Sequence, residues 1–339
     1  MIMSASPRLE GGGSAAPDSI LDITDLSVTM NSAGRDIRIV DELSLRIAPG
    51  ERVALVGESG SGKSVTARAI MRLDDSATLT GSVKLDGQEL VGLPEKRMRA
   101  LRGAQFSMVF QDPLRTLNPL RTIGDQIAEP LRIRGVSKRD ALKAAEETLD
   151  SLGVVDAKAR MRAYPFEFSG GMRQRVALAI ALIARPKVLI ADEPTTALDT
   201  RVQERVLRLI DDAARERGVA VLLITHDLGV VAGFADRVAV MYSGRKVEDA
   251  PVDVLYSSPS HPYTEGLLAA VPRLDEDQAE LVAMPGASAA PGSRPSGCAF
   301  HPRCPFAMEI CRATLPLLSE RPDRAGQVAC HLRTMEETA

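Results

Sequence analysis

The sequence predicts an α/β fold in which helices cover both faces of a mostly parallel sheet. Three observations lead to this prediction. Short apolar runs alternate with helical segments over residues 170–247, a pattern typical of β-α-β units. A glycine-rich loop separates an earlier apolar strand from a helix. Residues 114–168 carry helical patterns with little strand signal, which predicts a helical subdomain inserted into the α/β core.

The chain begins with a segment for which the sequence predicts no regular structure. Residues 1–18 are rich in Ser, Ala, Gly and Pro, so we expect a disordered tail. They lack the basic and apolar regions of a signal peptide. Alternating apolar residues over 21–28 and 43–47 predict two strands, with a turn at 31–35 between them. We expect these strands to belong to an antiparallel β part of the fold.

The core strands are predicted from short apolar runs, because strands of a parallel sheet are buried on both faces. The first of them follows a Pro-Gly pair that breaks the chain. The predicted core strands are 52–56, 188–191, 220–224 and 238–242. The helices predicted between and around them include 64–71, 138–152 and 201–217.

The composition excludes several classes of function. The 339 residues are 45% hydrophobic and 26% charged, which is enough apolar material for a sizeable core. A net charge of −3 and an aromatic content of 3% without Trp argue against a nucleic-acid partner. Since no apolar run approaches the roughly 18 residues of a membrane span, we expect the protein to stay in the cytoplasm. It would then serve a membrane process only by docking onto other subunits.

The composition changes after Pro251, and Pro and Gly are dense over 285–297. This change predicts an irregular C-terminal extension. We therefore expect a main domain over 19–256, with the helical subdomain at about 114–184, and the extension over 257–339.

Four cysteines, Cys298, Cys304, Cys311 and Cys330, all lie in this extension. Their spacing is C-x5-C-x6-C-x18-C, and in a reducing compartment such clustering indicates a metal or cluster site rather than disulfides. Four thiolates can hold a tetrahedral zinc ion or a [4Fe–4S] cluster. The spacing matches neither a zinc ribbon nor a ferredoxin, so unliganded thiols remain a third alternative.

The glycine-rich loop is a phosphate-binding motif. Residues 57–64 read G-E-S-G-S-G-K-S, which fits G-x-x-x-x-G-K-[ST] between a strand and a helix. Backbone N–H groups of such a loop and the helix N-terminus bind phosphate oxygens. Lys63 is expected to reach the β- and γ-phosphates, and the Ser64 hydroxyl to bind Mg²⁺. The residues predicted to bind ATP here are Gly57, Glu58, Ser59, Gly60, Ser61, Gly62, Lys63, Ser64 and Val65.

Five further segments occur in a fixed order around this loop. They are F-Q-D-P from residue 110, F-S-G-G-M-R-Q-R from residue 168, V-L-I-A-D-E-P from residue 188, A-L-D at 197–199 and His226 after a strand. Together they resemble the Q-loop, signature, Walker B strand, D-loop and switch histidine of ABC ATPases. The resemblance covers residues 19–270 and implies an ABC cassette that uses ATP and Mg²⁺.

The resemblance and the chemistry of these side chains assign their roles. Asp192, Gln111 and Ser64 are predicted to bind Mg²⁺. Glu193 is expected to orient or deprotonate the attacking water, with His226 bonded to the γ-phosphate and Lys63 as a third catalytic residue. Gln111, Asp192 and His226 thereby join the predicted ATP-binding residues.

In ABC ATPases the signature binds the γ-phosphate of the opposite subunit in a head-to-tail dimer. The residues predicted to do so are Ser169, Gly170, Gly171 and Met172. Asp199 is the expected D-loop residue. Phe168 and Met172 depart from the family's Leu and Gln. Met30 stands where members often stack an aromatic ring on adenine, and core packing is the alternative interpretation of Met30.

Several stretches resemble one branch, the ATPases of oligopeptide and dipeptide importers. They are the extended Q-loop over 110–119, the signature region over 164–175, the segment 191–199, H-P-Y-T at 261–264 and the cysteine motif from residue 297. The resemblance implies that the four cysteines hold a [4Fe–4S] cluster. Nickel or another solute is the alternative cargo.

The same resemblance implies partners and a location. We expect a second, paralogous ATPase, two membrane permease subunits and an extracytoplasmic substrate-binding protein, at the cytoplasmic face of the cell membrane. An alternative interpretation is that the chain is a soluble ABC mechanoprotein that acts on ribosomes or DNA. The chain lacks the second cassette, the heptad segment and the basic patch typical of that class.

Overall fold

The computed structural model describes residues 19–32, 34–111, 116–194, 200–271, 284–321 and 325–335. The predicted tail at 1–18 and the D-loop residue Asp199 lie outside them. The described residues form two β-sheets, of four and eight strands, with helices packed around the larger sheet. The prediction of an α/β fold is therefore confirmed.

The smaller sheet is antiparallel and has the strand order β2-β1-β4-β5. Its strands are β1 (Leu21–Ser32), β2 (Arg35–Ile47), β4 (Ala77–Leu85) and β5 (Gln88–Glu89). Leu21 pairs with Ile47 on one side and Leu85 on the other, and all three side chains are buried. The alternating pattern predicted the first two strands, whereas β4 and β5 were not predicted.

The larger sheet has the order β11-β12-β10-β9-β3-β8-β7-β6. Its strands are β3 (Arg52–Val56), β6 (Phe106–Val109), β7 (Val188–Asp192), β8 (Ala220–Thr225), β9 (Arg237–Tyr242), β10 (Arg245–Pro251), β11 (Ser319–Glu320) and β12 (Gln327–Val328). Strands β9, β3, β8, β7 and β6 are parallel, and β10, β12 and β11 continue the sheet in antiparallel fashion. The predicted core strands all lie in the parallel part.

The described helices include the three predicted at 64–71, 138–152 and 201–217. In chain order, the described helices are α1 (Lys63–Ile70), α2 (Glu95–Leu101), α3 (Ile123–Ile133), α4 (Lys138–Ser151), α5 (Ala157–Arg160), α6 (Gly170–Leu182), α7 (Thr200–Arg217), α8 (Leu228–Val231), α9 (Val252–Ser257), α10 (Pro262–Ala269), α11 (Glu309–Ala313) and α12 (His331–Met335). Between β6 and β7 the described residues contain helices and no strand. Within the described residues, no helix is long and apolar enough to cross a bilayer.

Two apolar cores flank the larger sheet. In β3 the side chains of Val53 and Leu55 pack into the core shared with the smaller sheet, whereas Ala54 and Val56 pack into the core on the opposite face. All four are fully buried, as expected for a parallel strand covered on both sides. Because the carboxyl ends of parallel strands meet at one edge, the residues that follow them lie side by side.

Candidate functional site

The phosphate-binding loop follows β3 and leads directly into α1. The Lys63 ammonium is turned back onto this loop, where it donates to the carbonyl oxygens of Gly57 at 2.7 Å and Glu58 at 2.9 Å. Burial lowers the pKa of Lys63, although the nearby carboxylates oppose that shift. Gly57 has a φ of 154°, and a Cβ there would lie 2.1 Å from the Met241 carbonyl oxygen. Only glycine therefore fits the start of the loop.

Two predicted Mg²⁺ ligands already contact each other. The Ser64 hydroxyl, in the first turn of α1, donates to Asp192 Oδ1 at 2.8 Å. Asp192 ends β7 and is buried, and burial raises the pKa of this carboxyl group. A hydroxyl and a carboxylate oxygen at this point are hard ligands of the type that Mg²⁺ prefers. The donor set thus fits the ion that the motif implies.

The other catalytic candidates meet at the Glu193 carboxylate. Gln111 Nε2 donates to Glu193 Oε2 at 2.7 Å, and His226 Nδ1 lies 3.2 Å from Glu193 Oε1. These residues follow β6, β7 and β8, which are neighbours in the sheet. The strand order therefore brings together side chains that are far apart in sequence.

Glu193 has a strained backbone. Its φ of 45° is left-handed, which is uncommon for a residue with a side chain. The Glu193 N–H donates to the Ile224 carbonyl oxygen at 2.9 Å, so the neighbouring strand β8 holds this conformation. Such strain is concentrated at functional sites, where the surrounding structure maintains it.

The signature residues are not part of this cluster of contacts. Ser169 is the N-cap of α6, and its hydroxyl accepts from the Met172 N–H at 3.4 Å. Ser169 and Gly170 are exposed, and Gly171 and Met172 are half-buried. Phe168, by contrast, is buried in the core, with the Arg160 guanidinium 5.7 Å from its ring centre. The presence of Phe168 in place of the family's Leu therefore affects core packing.

Met30 lies near the end of β1, where it pairs with Ile37 and Ala77 in the smaller sheet. Its side chain is half-buried. Contact of Met30 with adenine stays a prediction.

The four cysteines line one small cavity in the extension, together with aromatic and histidine side chains. The Cys298 N–H donates to the Cys311 carbonyl oxygen at 2.8 Å. Burial raises the pKa of Cys298 to about 11, and the other three thiols add to that shift. Over the described residues, no group of three or more His, Cys, Asp or Glu side chains is arranged to hold a metal ion.

The sequence did not predict two residues that contact the loop from the extension. Arg303 forms an ion pair with Glu58, and the Tyr263 hydroxyl accepts from the Glu58 N–H. Both residues lie in stretches noted above for their resemblance to peptide importers. Neither periodicity nor motif spacing signals a contact across more than 200 residues, so only the fold could reveal them.

Comparison with known proteins agrees with this geometry. Residues 40–196 match the family model described as ABC transporter, and residues 247–311 match that of the oligopeptide/dipeptide transporter C-terminal region. A putative peptide import ATP-binding protein of Brucella abortus is 48% identical over 94% of this chain and 96% of its own. The oligopeptide transport ATP-binding protein OppD of Salmonella typhimurium is 47% identical over 90% of this chain and 92% of its own.

Among solved structures, the chain is similar to the dimeric ATP-binding cassette MJ0796 bound to ADP and Pi. The TM-score is 0.62 at 29% identity, covering 68% of this chain and 98% of that one. The similarity therefore spans nearly the whole of that cassette and leaves about a third of this chain outside it.

Proposed function

The chain belongs to the family of ABC transporter ATP-binding proteins, and we propose that it hydrolyses ATP to power an importer of di- or oligopeptides. The observation that carries this proposal is a pair of contacts, Ser64 with Asp192 and His226 with Glu193, at the carboxyl ends of the neighbouring strands β7 and β8. The peptide cargo is supported by the names of the relatives and by the matched C-terminal region.

The residues of the loop would bind the triphosphate. Lys63 would exchange its loop carbonyls for β- and γ-phosphate oxygens, with the backbone N–H groups and the N-terminus of α1 as further donors. Ser64, Asp192 and Gln111 would hold Mg²⁺, which supplies charge neutralisation at the phosphates when bound. This role gives the buried Asp192 carboxylate a positive partner.

Glu193 would act on the attacking water. Gln111 and His226 contact its two carboxylate oxygens, so the side chain is oriented from both sides. Glu193 would accept the water proton, and His226 would bond the γ-phosphate oxygens as charge develops on them. The strained backbone of Glu193 helps to hold the carboxylate in the productive orientation.

Complete hydrolysis would need a second cassette. The exposed N-terminus of α6, with Ser169 and Gly171, would bind the γ-phosphate in the partner's loop. Asp199 would act at the same dimer interface. We propose a paralogous ATPase as the partner, together with two membrane permeases and an extracytoplasmic binding protein, which places the chain at the cytoplasmic face of the membrane.

Replacement of the Glu193 carboxylate by an amide tests the catalytic role of this residue. Glu193→Gln in the assembled complex should lower the ATPase rate by about 100-fold or more, because general-base catalysis is lost. ATP binding, measured with a fluorescent nucleotide, should be retained. Glu216→Gln, at an exposed glutamate near the end of α7, is the control and should keep the wild-type rate. A near wild-type rate in Glu193→Gln would contradict the assignment.

Uptake measurements test the cargo. A host strain lacking this gene should lose uptake of a labelled dipeptide or oligopeptide, and wild-type protein but not Glu193→Gln should restore it. If nickel uptake falls and peptide uptake does not, the ATPase role survives and the peptide assignment fails.

We further propose that the four cysteines hold a [4Fe–4S] cluster. Their donor type and their convergence on one cavity support this. A tetrahedral zinc ion needs sulfurs about 3.8 Å apart, whereas each thiolate of a cluster binds a different iron. The two metals therefore require different spacings of the four sulfurs, and zinc stays the alternative ligand.

Metal analysis tests the cluster. Protein purified anaerobically should contain iron and acid-labile sulfide at about four of each per chain, and Cys311→Ser should lose both. If the protein contains one equivalent of zinc per chain instead, the cysteines form a zinc site and the cluster assignment fails. If iron and zinc are both well below the amount for one site per chain, a metal role for the cysteines is contradicted.

A further inference from the structure

The extension contacts the phosphate-binding loop through a buried arginine. Arg303 Nη1 lies 2.8 Å from Glu58 Oε2, and Arg303 Nη2 lies 2.9 Å from Glu58 Oε1. The Arg303 side chain is 7% exposed. Two parallel N–H···O bonds of this kind fix the relative orientation of the guanidinium and carboxylate planes.

A second contact reaches the backbone of the same residue. The Glu58 N–H donates to the Tyr263 hydroxyl at 2.8 Å. Tyr263 is fully buried, and its ring packs against Tyr242 at 4.6 Å and Phe300 at 5.4 Å between centres. The Arg303 guanidinium lies 5.9 Å from the ring centres of Tyr242 and Phe300. Both contacts on Glu58 therefore come from one packed aromatic cluster.

The third contact on Glu58 leads to the catalytic lysine. The Glu58 carbonyl oxygen accepts from Lys63 Nζ at 2.9 Å. Residue 58 is thus held at its side chain, its N–H and its carbonyl group, by Arg303, Tyr263 and Lys63 respectively. A shift of residue 58 would move the loop carbonyls that Lys63 contacts, and with them the loop that surrounds the phosphates.

We propose that Arg303 and Tyr263 are positioning residues for ATP, through which the C-terminal extension sets the shape of the phosphate-binding loop. This inference rests on the proposed function, because it takes the loop to be the nucleotide site. Other contacts attach the extension to the main domain, including the buried ion pair between Arg321 and Glu248 of β10 at 3.2 Å. The contacts on Glu58 are therefore not needed merely to hold the extension in place.

The test uses full-length chain in the assembled transporter, with ATP as the probe. Arg303→Gln and Tyr263→Phe should each raise the KM for ATP by about tenfold, as expected for losing a bond that orders the loop, with kcat changed less than about threefold. Arg303→Lys keeps the charge but not the paired bonds, so it should give an intermediate KM.

Two controls separate positioning from general stability. Arg294→Gln removes another extension arginine, whose described hydrogen bonds go to residues 38, 39 and 41, with Asp41 of β2 at 2.8 Å. It should lower the melting temperature without changing the KM for ATP. In a double-mutant cycle, the variant that carries both Glu58→Gln and Arg303→Gln should have a KM for ATP close to that of each single variant. The reason is that both substitutions remove the same contact.

The outcomes are distinct. An unchanged KM in Tyr263→Phe, which removes only one oxygen atom, or additive effects in the cycle would overturn the positioning role. Absence of ATP binding and hydrolysis in the wild-type complex would instead refute the proposed function. If Arg303→Gln does not fold, Tyr263→Phe and Arg303→Lys still decide the question.

Discussion

The nucleotide site and the C-terminal extension are ordered in different ways. At the nucleotide site the apolar sheet positions polar groups at strand ends, and their exposure ranges from the buried Lys63 and Asp192 to the His226 side chain, which is 51% exposed. In the extension, polar contacts do much of the ordering. Glu248 and Arg321 pair at 0% and 1% exposure, and Arg303 binds Glu58 in a buried position.

This difference has a physical consequence. A site built on a rigid sheet can lose a polar side chain without losing the fold, since the core stays intact. The described strands of the extension are only two residues long, so they give little sheet structure to compensate for a broken buried ion pair. We therefore expect substitutions at the site to cost activity, and substitutions that break a buried ion pair of the extension away from Glu58 to cost stability.

The largest expected effect is on stability, at Arg321. Arg321→Met leaves the Glu248 carboxylate buried without its charged partner, although the Ser260 and His261 N–H groups still bond it. The free energy of unfolding should fall by about 3–5 kcal/mol. Urea denaturation measures it, and the double variant Glu248→Gln with Arg321→Met should recover part of the loss. An equal loss in both variants would mean that packing, not charge, dominates.

The next effect is on activity, at His226. His226→Ala should lower the ATPase rate by about 100- to 1000-fold, because one charge-stabilising group is lost from the transition state. The free energy of unfolding should change by less than about 0.5 kcal/mol, since the side chain is half exposed. Steady-state hydrolysis and urea denaturation of the same preparation measure both. A loss of stability without loss of rate would reverse the contrast between the two regions.

The smallest effect tests the signature. Ser169 caps α6, so a role in capping must be separated from a role in phosphate binding. Ser169→Asp keeps a capping oxygen, and the free energy of unfolding should change by less than about 0.5 kcal/mol. A carboxylate facing the partner's γ-phosphate should lower the ATPase rate by about tenfold or more. An unchanged rate would leave Ser169 with capping alone.

Much of the fold could be predicted because its signals are local. The parallel strands β3, β7, β8 and β9 are continuous apolar runs, and the loop at 57–64 has a fixed motif between a strand and a helix. Strands β4, β5, β6, β10, β11 and β12 were missed, because their residues are mixed in polarity or too few to show a period. The matched segments also indicated the site residues and their roles, which remain predictions.

The sequence by itself determined the type of fold, the family and the residues that end the parallel strands. These follow from short-range patterns, because periodicity and motif spacing are properties of neighbouring residues. The tertiary structure decided which distant polar groups meet. Gln111 and Glu193 are 82 residues apart, and Glu58 and Arg303 are 245 residues apart. No local pattern encodes such a pair, since its partners become neighbours only when strand order and core packing fix their positions.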